Sequence, residues 1–246
     1  MAARTIKLTI AYDGTDYSGW QIQPGQRTIQ GQLAEVISNL VGVEVYVSGA
    51  SRTDAGVSAL GQVALVQIDS PIPTENLTQA ITHKLPADLA VIEAEEVPDG
   101  FDVIGDVKSK LYQYLIYTGK HRPVLDIRHC WHLPAKLDVG AMLEAASKLI
   151  GKKDFKSFAA AADKRESSVR TIFRCDVIEE GQWLYFEVEG DSFLYNMVRN
   201  IVGTLVDVGC GRIPPEQIEA IIQAKDRRAA GGIAPPQGLC LMWIKY

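Results

Sequence analysis

The sequence predicts an α+β fold made of two halves with related plans. Three observations carry this. Short runs with apolar residues at every second position recur along the chain, runs with 3.6-residue apolar spacing lie between them, and the strand-helix-strand order of residues 1–100 returns after residue 105.

The elements follow in order. Ile6, Leu8 and Ile10 alternate with polar or small residues, as a half-buried strand requires. The stretch "DGTDYSGWQIQPGQ" is dense in turn formers and reads as a loop. Thr28 is placed to cap a helix that carries Ile29, Leu33, Val36, Ile37 and Leu40 on one face. Val43, Val45 and Val47 alternate as a second strand, "GASRTDAGVSALGQ" follows as a loop, and "QVALVQI" is a third strand. Thr74 is read as the cap of a second helix facing inward with Leu77, Ala80, Ile81 and Leu85, and "LAVIEAEEV" is the fourth strand. The order is β-α-β-β-α-β, a ferredoxin-like (split βαβ) arrangement.

The second half reads similarly, without a residue-level repeat. "KLYQYLIYT" is a strand, and Asp138 opens a helix running to Ile150. "RTIFRCDVIEEGQWLYFEVEG" is a hairpin turning near Glu180 and Gly181. A long helix spans about Phe193 to Val208, another follows Pro214 and Pro215, and "LCLMWIKY" closes the chain as a strand. The expected organisation is an N-terminal domain over 1–104 and a C-terminal domain over 105–246. Their strands would form a continuous, mainly antiparallel sheet with a central cleft, a usual place for a site.

Composition narrows the function classes. Of 246 residues, 47% are hydrophobic and 22% charged, which fits a globular protein with a sizeable core. No apolar stretch reaches membrane-spanning length, and "MAARTIKLTI" lacks the pattern of a signal peptide, so a cytoplasmic protein is expected. The four cysteines are far apart and form no C-x-x-C pair; "HCWH" at 129–132 has no further ligands nearby, so no metal is expected. A net charge of −5 argues weakly against a nucleic-acid partner. Between Gly151 and Arg174, however, Lys152, Lys153, Lys156, Lys164, Arg165, Arg170 and Arg174 face only Asp154, Asp163 and Glu166. That run is either a solvated loop or a surface that follows phosphates.

The candidate chemistry begins at Asp54, a lone acid in a glycine-flanked loop. Such an acid is most often a turn former or helix cap, with catalysis the minority reading. The helix "FLYNMVRNIVGTLVDV" adds weight to the minority reading. It is apolar on most sides except for a stripe of Asn196, Arg199, Asn200 and Gly203, at spacings i, i+3, i+4 and i+7. A charge in such surroundings needs a partner, and Gly203 leaves room for another segment to approach. Asp54 is a candidate partner, which leaves a structural salt bridge and an active-site pair both open. Tyr112, Tyr114 and Ile116 share one strand face, as core or, for a tyrosine at the strand's end, as a platform for a nucleobase. Walker A, G-x-G-x-x-G, H-E-x-x-H and G-x-S-x-G patterns do not occur. Carboxylate chemistry on a polyanion is the class that remains.

The ordered set "YDGTDYSGWQIQ" with "TIQGQL", "SRTDAGVSALGQVA", "LYQYLIY", "DFKSF", "FLYNMVRNIVGTL" and "APPQGLCLMWIKY" resembles the tRNA pseudouridine synthase A family along nearly the whole chain. The resemblance implies a cofactor-free isomerase that turns uridine into pseudouridine in the tRNA anticodon stem-loop, at positions 38, 39 and 40, and acts as a homodimer. It places the catalytic aspartate at Asp54 and the base-stacking tyrosine at Tyr112. It makes Arg199 the arginine that pairs with the aspartate, and Arg52 the arginine that helps hold the target nucleotide out of its helix. The carboxylate could act as a nucleophile at sugar or base, or as a base at C2′. The sequence departs from the family pattern at Ser51, usually Gly, at Ser58, usually His, and at "FDVI" (101–104), usually F-H-A-R. Alternatives are a synthase with a shifted RNA target and an RNA-binding module without catalysis.

Overall fold

A computed structural model describes residues 3–246 as a mixed α+β protein whose strands pair mainly antiparallel. In chain order the first elements are β1 (Arg4–Tyr12), α1 (Ile29–Val41), β2 (Val47–Gly49), β3 (Ser58–Ile68), α2 (Thr74–Thr82) and β4 (Leu89–Glu96). They are followed by β5 (Ser109–Tyr117), β6 (Trp131–His132), α3 (Val139–Ser147), β7 (Gly151–Asp154), β8 (Val169–Glu180) and β9 (Trp183–Gly190). The last are α4 (Met197–Gly209), α5 (Gln217–Ala224) and β10 (Leu239–Lys245). Among the described residues the chain folds as two compact units, one reaching to Lys108 and including Leu241–Tyr246, the other Ser109–Cys240.

In the first unit the strand order is β4-β1-β3, with β2 on the free edge of β3 next to the stretch that borders β10. The alternation expected in β1 is real: Ile6, Leu8 and Ile10 are fully buried, each stabilising the fold by roughly 1.5–3 kcal/mol. Thr28 caps α1, its hydroxyl accepting from the Gly31 amide, and Ile29, Leu33 and Ile37 face the core. Two expectations are corrected. The second strand does not begin at Val43, which is exposed; Gly42 ends α1 with φ 79°, and the Val45 amide donates to Ser38 Oγ, so pairing with β3 starts only at Val47. Thr74 is not the cap of α2. Pro73 holds that position, and the Thr74 hydroxyl instead accepts from Arg4 of β1.

In the second unit the order is β5-β9-β8-β7, all antiparallel, with β6 parallel to β5. Asp138 caps α3 through the Ala141 amide, and the helix ends at Ser147, short of the expected Ile150. The β8–β9 hairpin turns at Gly181 with φ 66°. Helix α4 starts at Met197, later than expected. Asn196 adopts φ 61°, which stops the helix from extending back to Phe193 and frees residues 193–195 for contacts of their own. In the "HCWH" stretch, Cys130 is buried and His132 Nε2 lies 2.9 Å from the Gly119 carbonyl.

Candidate active site

Asp54 is half-buried on the loop between β2 and β3. What fixes that loop is a buried polar network. Gln62, fully buried at the start of the core stretch of β3, donates to the Ser51 carbonyl (2.6 Å) and accepts from the Ser51 amide (3.2 Å). Its Nε2 also reaches the Tyr12 hydroxyl at 3.4 Å, and that hydroxyl lies 2.7 Å from Thr53 Oγ1. The two residues on the N-terminal side of Asp54 that matter, Ser51 and Thr53, are thus held from β1 and β3. Buried polar groups satisfied in this way define one geometry, because any other leaves them unpaired.

The "DGTDYSGW" loop closes over the other side. Trp20 donates its amide to the Thr53 carbonyl (3.1 Å), and Gly56 donates to the Tyr17 carbonyl (3.4 Å). Gly14 lies so close that a Cβ there would sit 2.0 Å from the Val57 carbonyl oxygen, so the contact admits no side chain. That covering loop is itself anchored. Tyr17 donates to Asp88 (2.7 Å), and Arg27 pairs with Asp88 (3.0 Å) while stacking on the Tyr17 ring. Burial, then the bond to Asp88, pushes the Tyr17 hydroxyl well above its usual range. Arg52, on the same loop as Asp54, is exposed.

Tyr112 and Arg199 belong to the second unit. Tyr112 is buried on β5, and the Phe193 ring meets it edge-on at 5.3 Å between centroids. The polar stripe of α4 has separable tasks. Arg199 Nε donates to the Ala234 carbonyl (2.8 Å), and its Nη1 donates to Asn196 Oδ1 (3.2 Å). Asn200, buried, donates to the Phe158 carbonyl (2.7 Å) and accepts from Arg227 (2.8 Å). At Gly203 a Cβ would stand 1.8 Å from the Gly232 carbonyl oxygen, so the segment expected to approach there is "GGIAP" (231–235). Tyr114, two residues beyond Tyr112, donates to the Pro235 carbonyl (2.8 Å). Strand β5 and Arg199 are therefore tied together through adjacent carbonyls, Ala234 and Pro235. Burial raises the Tyr114 hydroxyl far above its usual range, and the Arg199 charge opposes that rise.

Sequence reasoning singled out Asp54, Tyr112 and Arg199 as candidates and placed Tyr114 on a strand face as core or stacking platform, but did not reach Tyr12, Gln62 and Trp20, which hold the backbone around Asp54. Gln62 carried one signal: a glutamine inside the apolar run of β3 must be satisfied if buried.

Comparison with known proteins extends the geometry. A family model described as tRNA pseudouridine synthase matches residues 8–104 and 145–246. The chain belongs to the tRNA pseudouridine synthase family. It is 42% identical to the tRNA pseudouridine synthase A of Caldicellulosiruptor saccharolyticus over 99% of this chain and 100% of that one. It is 44% identical to that of Moorella thermoacetica over 98% and 99% of the two chains. A chain in the crystal structure of a Cbf5-Nop10-Gar1 complex aligns with 81% of this chain and 54% of its own length, at 13% identity and a TM-score of 0.35. As a family member the protein is an RNA pseudouridine synthase, an isomerase.

The departures at Ser58 and in "FDVI" have structural roles here. Ser58 Oγ accepts from the Gly14 amide (3.1 Å), joining the two loops around Asp54. Ser51 meets Gln62 through its backbone, which any residue could provide. In "FDVI", Asp102 accepts from the Ile104 amide (2.9 Å), and Val103 is buried with its carbonyl accepting from the Tyr246 hydroxyl (2.8 Å). The amides of Gly105 and Ile104 hold the Asp102 carboxyl below the usual carboxylate range. The stretch makes a self-capped turn at the surface.

Proposed function

We propose that this pseudouridine synthase acts on uridines in the anticodon stem-loop of tRNA, at positions 38, 39 and 40, and works in the cytoplasm as a homodimer. In this reading Asp54 is the reacting carboxylate, Arg199 the cation that keeps it ionised, Tyr112 the ring that stacks on the base, and Arg52 the exposed contact that helps hold the displaced nucleotide. The observation that carries it is the buried Tyr12–Thr53–Gln62–Ser51 network. A surface turn does not need such a scaffold, whereas a reacting group does.

The chemistry asks for these residue types. A uridine in a stem is stacked and paired, so it must leave the helix, which costs a few kcal/mol. The C1′–N1 bond then breaks, the uracil turns, a C1′–C5 bond forms, C5 gives up its proton to solvent and the freed N1 takes one up. No atom is gained or lost by the nucleotide, so the reaction needs no second substrate. Confinement keeps the detached uracil close to the sugar. An ionised carboxylate and a nearby cation serve this sequence of steps.

The test is tritium release from tRNA carrying C5-labelled uridine. Release is expected at the anticodon-stem uridines with the wild type and is expected to vanish with Asp54→Ala. Undiminished release from Asp54→Ala would refute the role of Asp54, and release confined to other uridines would refute the target.

A further inference from the structure

The basic run between Gly151 and Arg174 does not act as a uniform surface. Lys153 Nζ donates to the Lys148 carbonyl, and Arg174 pairs with Glu187 at 2.8 Å, so both are committed within the protein. Arg165 and Arg170 are different. Strand register sets Lys110 opposite Gly190 and Gly190 opposite Ile172, which brings the starts of β5 and β8 to one end of the sheet in this unit. Arg170 lies two residues before Ile172, and Tyr112 two residues after Lys110.

The loop carrying Arg165 is fastened to the same place. The Asp163 carboxylate accepts from the Tyr195 amide (2.7 Å) and the Arg165 amide (2.9 Å), and the Ala160 amide donates to the Tyr195 carbonyl (2.9 Å). Tyr195 lies two residues after Phe193, whose ring touches Tyr112. Asp163 also holds one nitrogen of the Arg165 guanidinium at 2.5 Å, leaving its other donors on a side chain that is 48% exposed. Arg170 donates Nη1 to the Ser167 and Val169 carbonyls, while its Nε is buried with no hydrogen-bond partner among the described residues. The charges crowd as well: the positive charge of Arg165 bears on both Arg170 and Lys110, and burial with that charge lowers Lys110 to about 8. Two acids also bear on Arg170: Asp163, which is held by Arg165 and two amides, and Asp191, which is held by the Thr171 amide and Ser192. Cations gathered this way, with the Arg165 guanidinium still exposed, suit an incoming anion.

We propose that Arg165 and Arg170 form a binding site for one backbone phosphate of the RNA, at the end of this unit's sheet where β5 and β8 begin. The site rests on the reading that the substrate is RNA, and it selects two members of a seven-residue basic run as those that grip it. Arg165 offers the exposed fork and Arg170 a second positive charge beside it, while Asp163 sets the direction of the fork.

The experiment measures equilibrium binding of a tRNA transcript carrying the anticodon-stem uridines, by fluorescence anisotropy over a salt series, with the full chain. Arg165→Gln and Arg170→Gln are each expected to raise Kd about tenfold. The slope of log K against log salt should become shallower by about 0.7 to 0.9, the value for one phosphate contact. Arg170→Lys, which keeps the charge, should recover most of the slope, and Lys84→Gln, an exposed residue of the other unit, should leave Kd within twofold. Arg165→Gln, at an exposed side chain, keeps the test valid if Arg170→Gln does not fold. An unchanged slope with Kd within twofold for Arg165→Gln overturns the site, as does an equal effect from Lys84→Gln. A wild type that binds no RNA would overturn the functional reading instead.

Discussion

Replacing Gln62 by Leu isolates the scaffold beneath Asp54. The two side chains are similar in size, and the site is fully buried, so the exchange mainly removes hydrogen bonds. Four are lost: from the Ser51 amide (3.2 Å), to the Ser51 carbonyl (2.6 Å), from the Val63 amide (3.2 Å) and to the Tyr12 hydroxyl (3.4 Å). Each bond to a buried partner contributes about 1 kcal/mol net, the longest much less, so the loss is about 3 kcal/mol. For a chain of this length that is a drop in Tm of roughly 6–12 °C. A structural role would end there. If the network aims Asp54, the loop also shifts, and a displacement of about 1 Å at a reacting group costs roughly 100-fold in rate. Tritium-release kinetics at a temperature well below the melting transition should therefore show kcat down about 100-fold with KM within twofold. Tyr12→Phe, which removes only the terminal hydroxyl, should lie between this variant and the wild type in both measures. A lowered Tm with unchanged kcat would refute the reasoning, because the network would then stabilise the unit without positioning its carboxylate.

Two further outcomes follow from the second unit. Tyr114→Phe strips the Pro235 carbonyl of its donor one residue from the carbonyl that receives Arg199, so kcat should fall about tenfold; a KM change without a kcat change would count against a positioning role. At Asp163 burial works against ionisation, but the Tyr195 and Arg165 amides and the Arg165 charge outweigh it and hold the pKa below the usual carboxylate value. Its contribution is therefore complete above a pH of about 4 and is lost as pH falls through the lower folded value. The stability gap between wild type and Asp163→Asn, read by urea unfolding, should be constant near neutrality and close on acidification; a pH-independent gap would refute the assignment.

The parts of the fold legible in the sequence are those decided locally. The period of Ile6, Leu8 and Ile10, the caps Thr28 and Asp138, and the turn at Gly181 each depend on residues within a few positions, and each is found in place. The misplaced features depend on distant partners. Thr74 has the chemistry of a cap, yet Arg4 claims its hydroxyl from 70 residues away. Residues 193–195 have helical composition, yet Phe193 packs on Tyr112 and the Tyr195 amide serves Asp163. The candidate site shows the same division. Asp54, Tyr112 and Arg199 stand out by residue type, whereas Gln62 acquires its role only when β1 and β3 pair, and Tyr114 only when the 231–235 segment meets β5.

The two places where backbones touch most closely explain why the functional groups are few and their supports many. Gly14 against Val57 and Gly203 against Gly232 are contacts in which a single methyl group would overlap a carbonyl oxygen. In each case the close approach delivers a backbone group to the element that carries a candidate site residue: the Thr53 carbonyl meets the Trp20 amide beside Asp54, and the Ala234 carbonyl meets Arg199. Backbone partners are stiffer than side chains, since they carry no rotamer freedom of their own to lose. Placement is a large source of an enzyme's rate, and the main chain around both candidate groups is itself locked at a glycine. Substitutions at Gly14 and Gly203 should therefore act on the chemistry although neither residue has a side chain to offer.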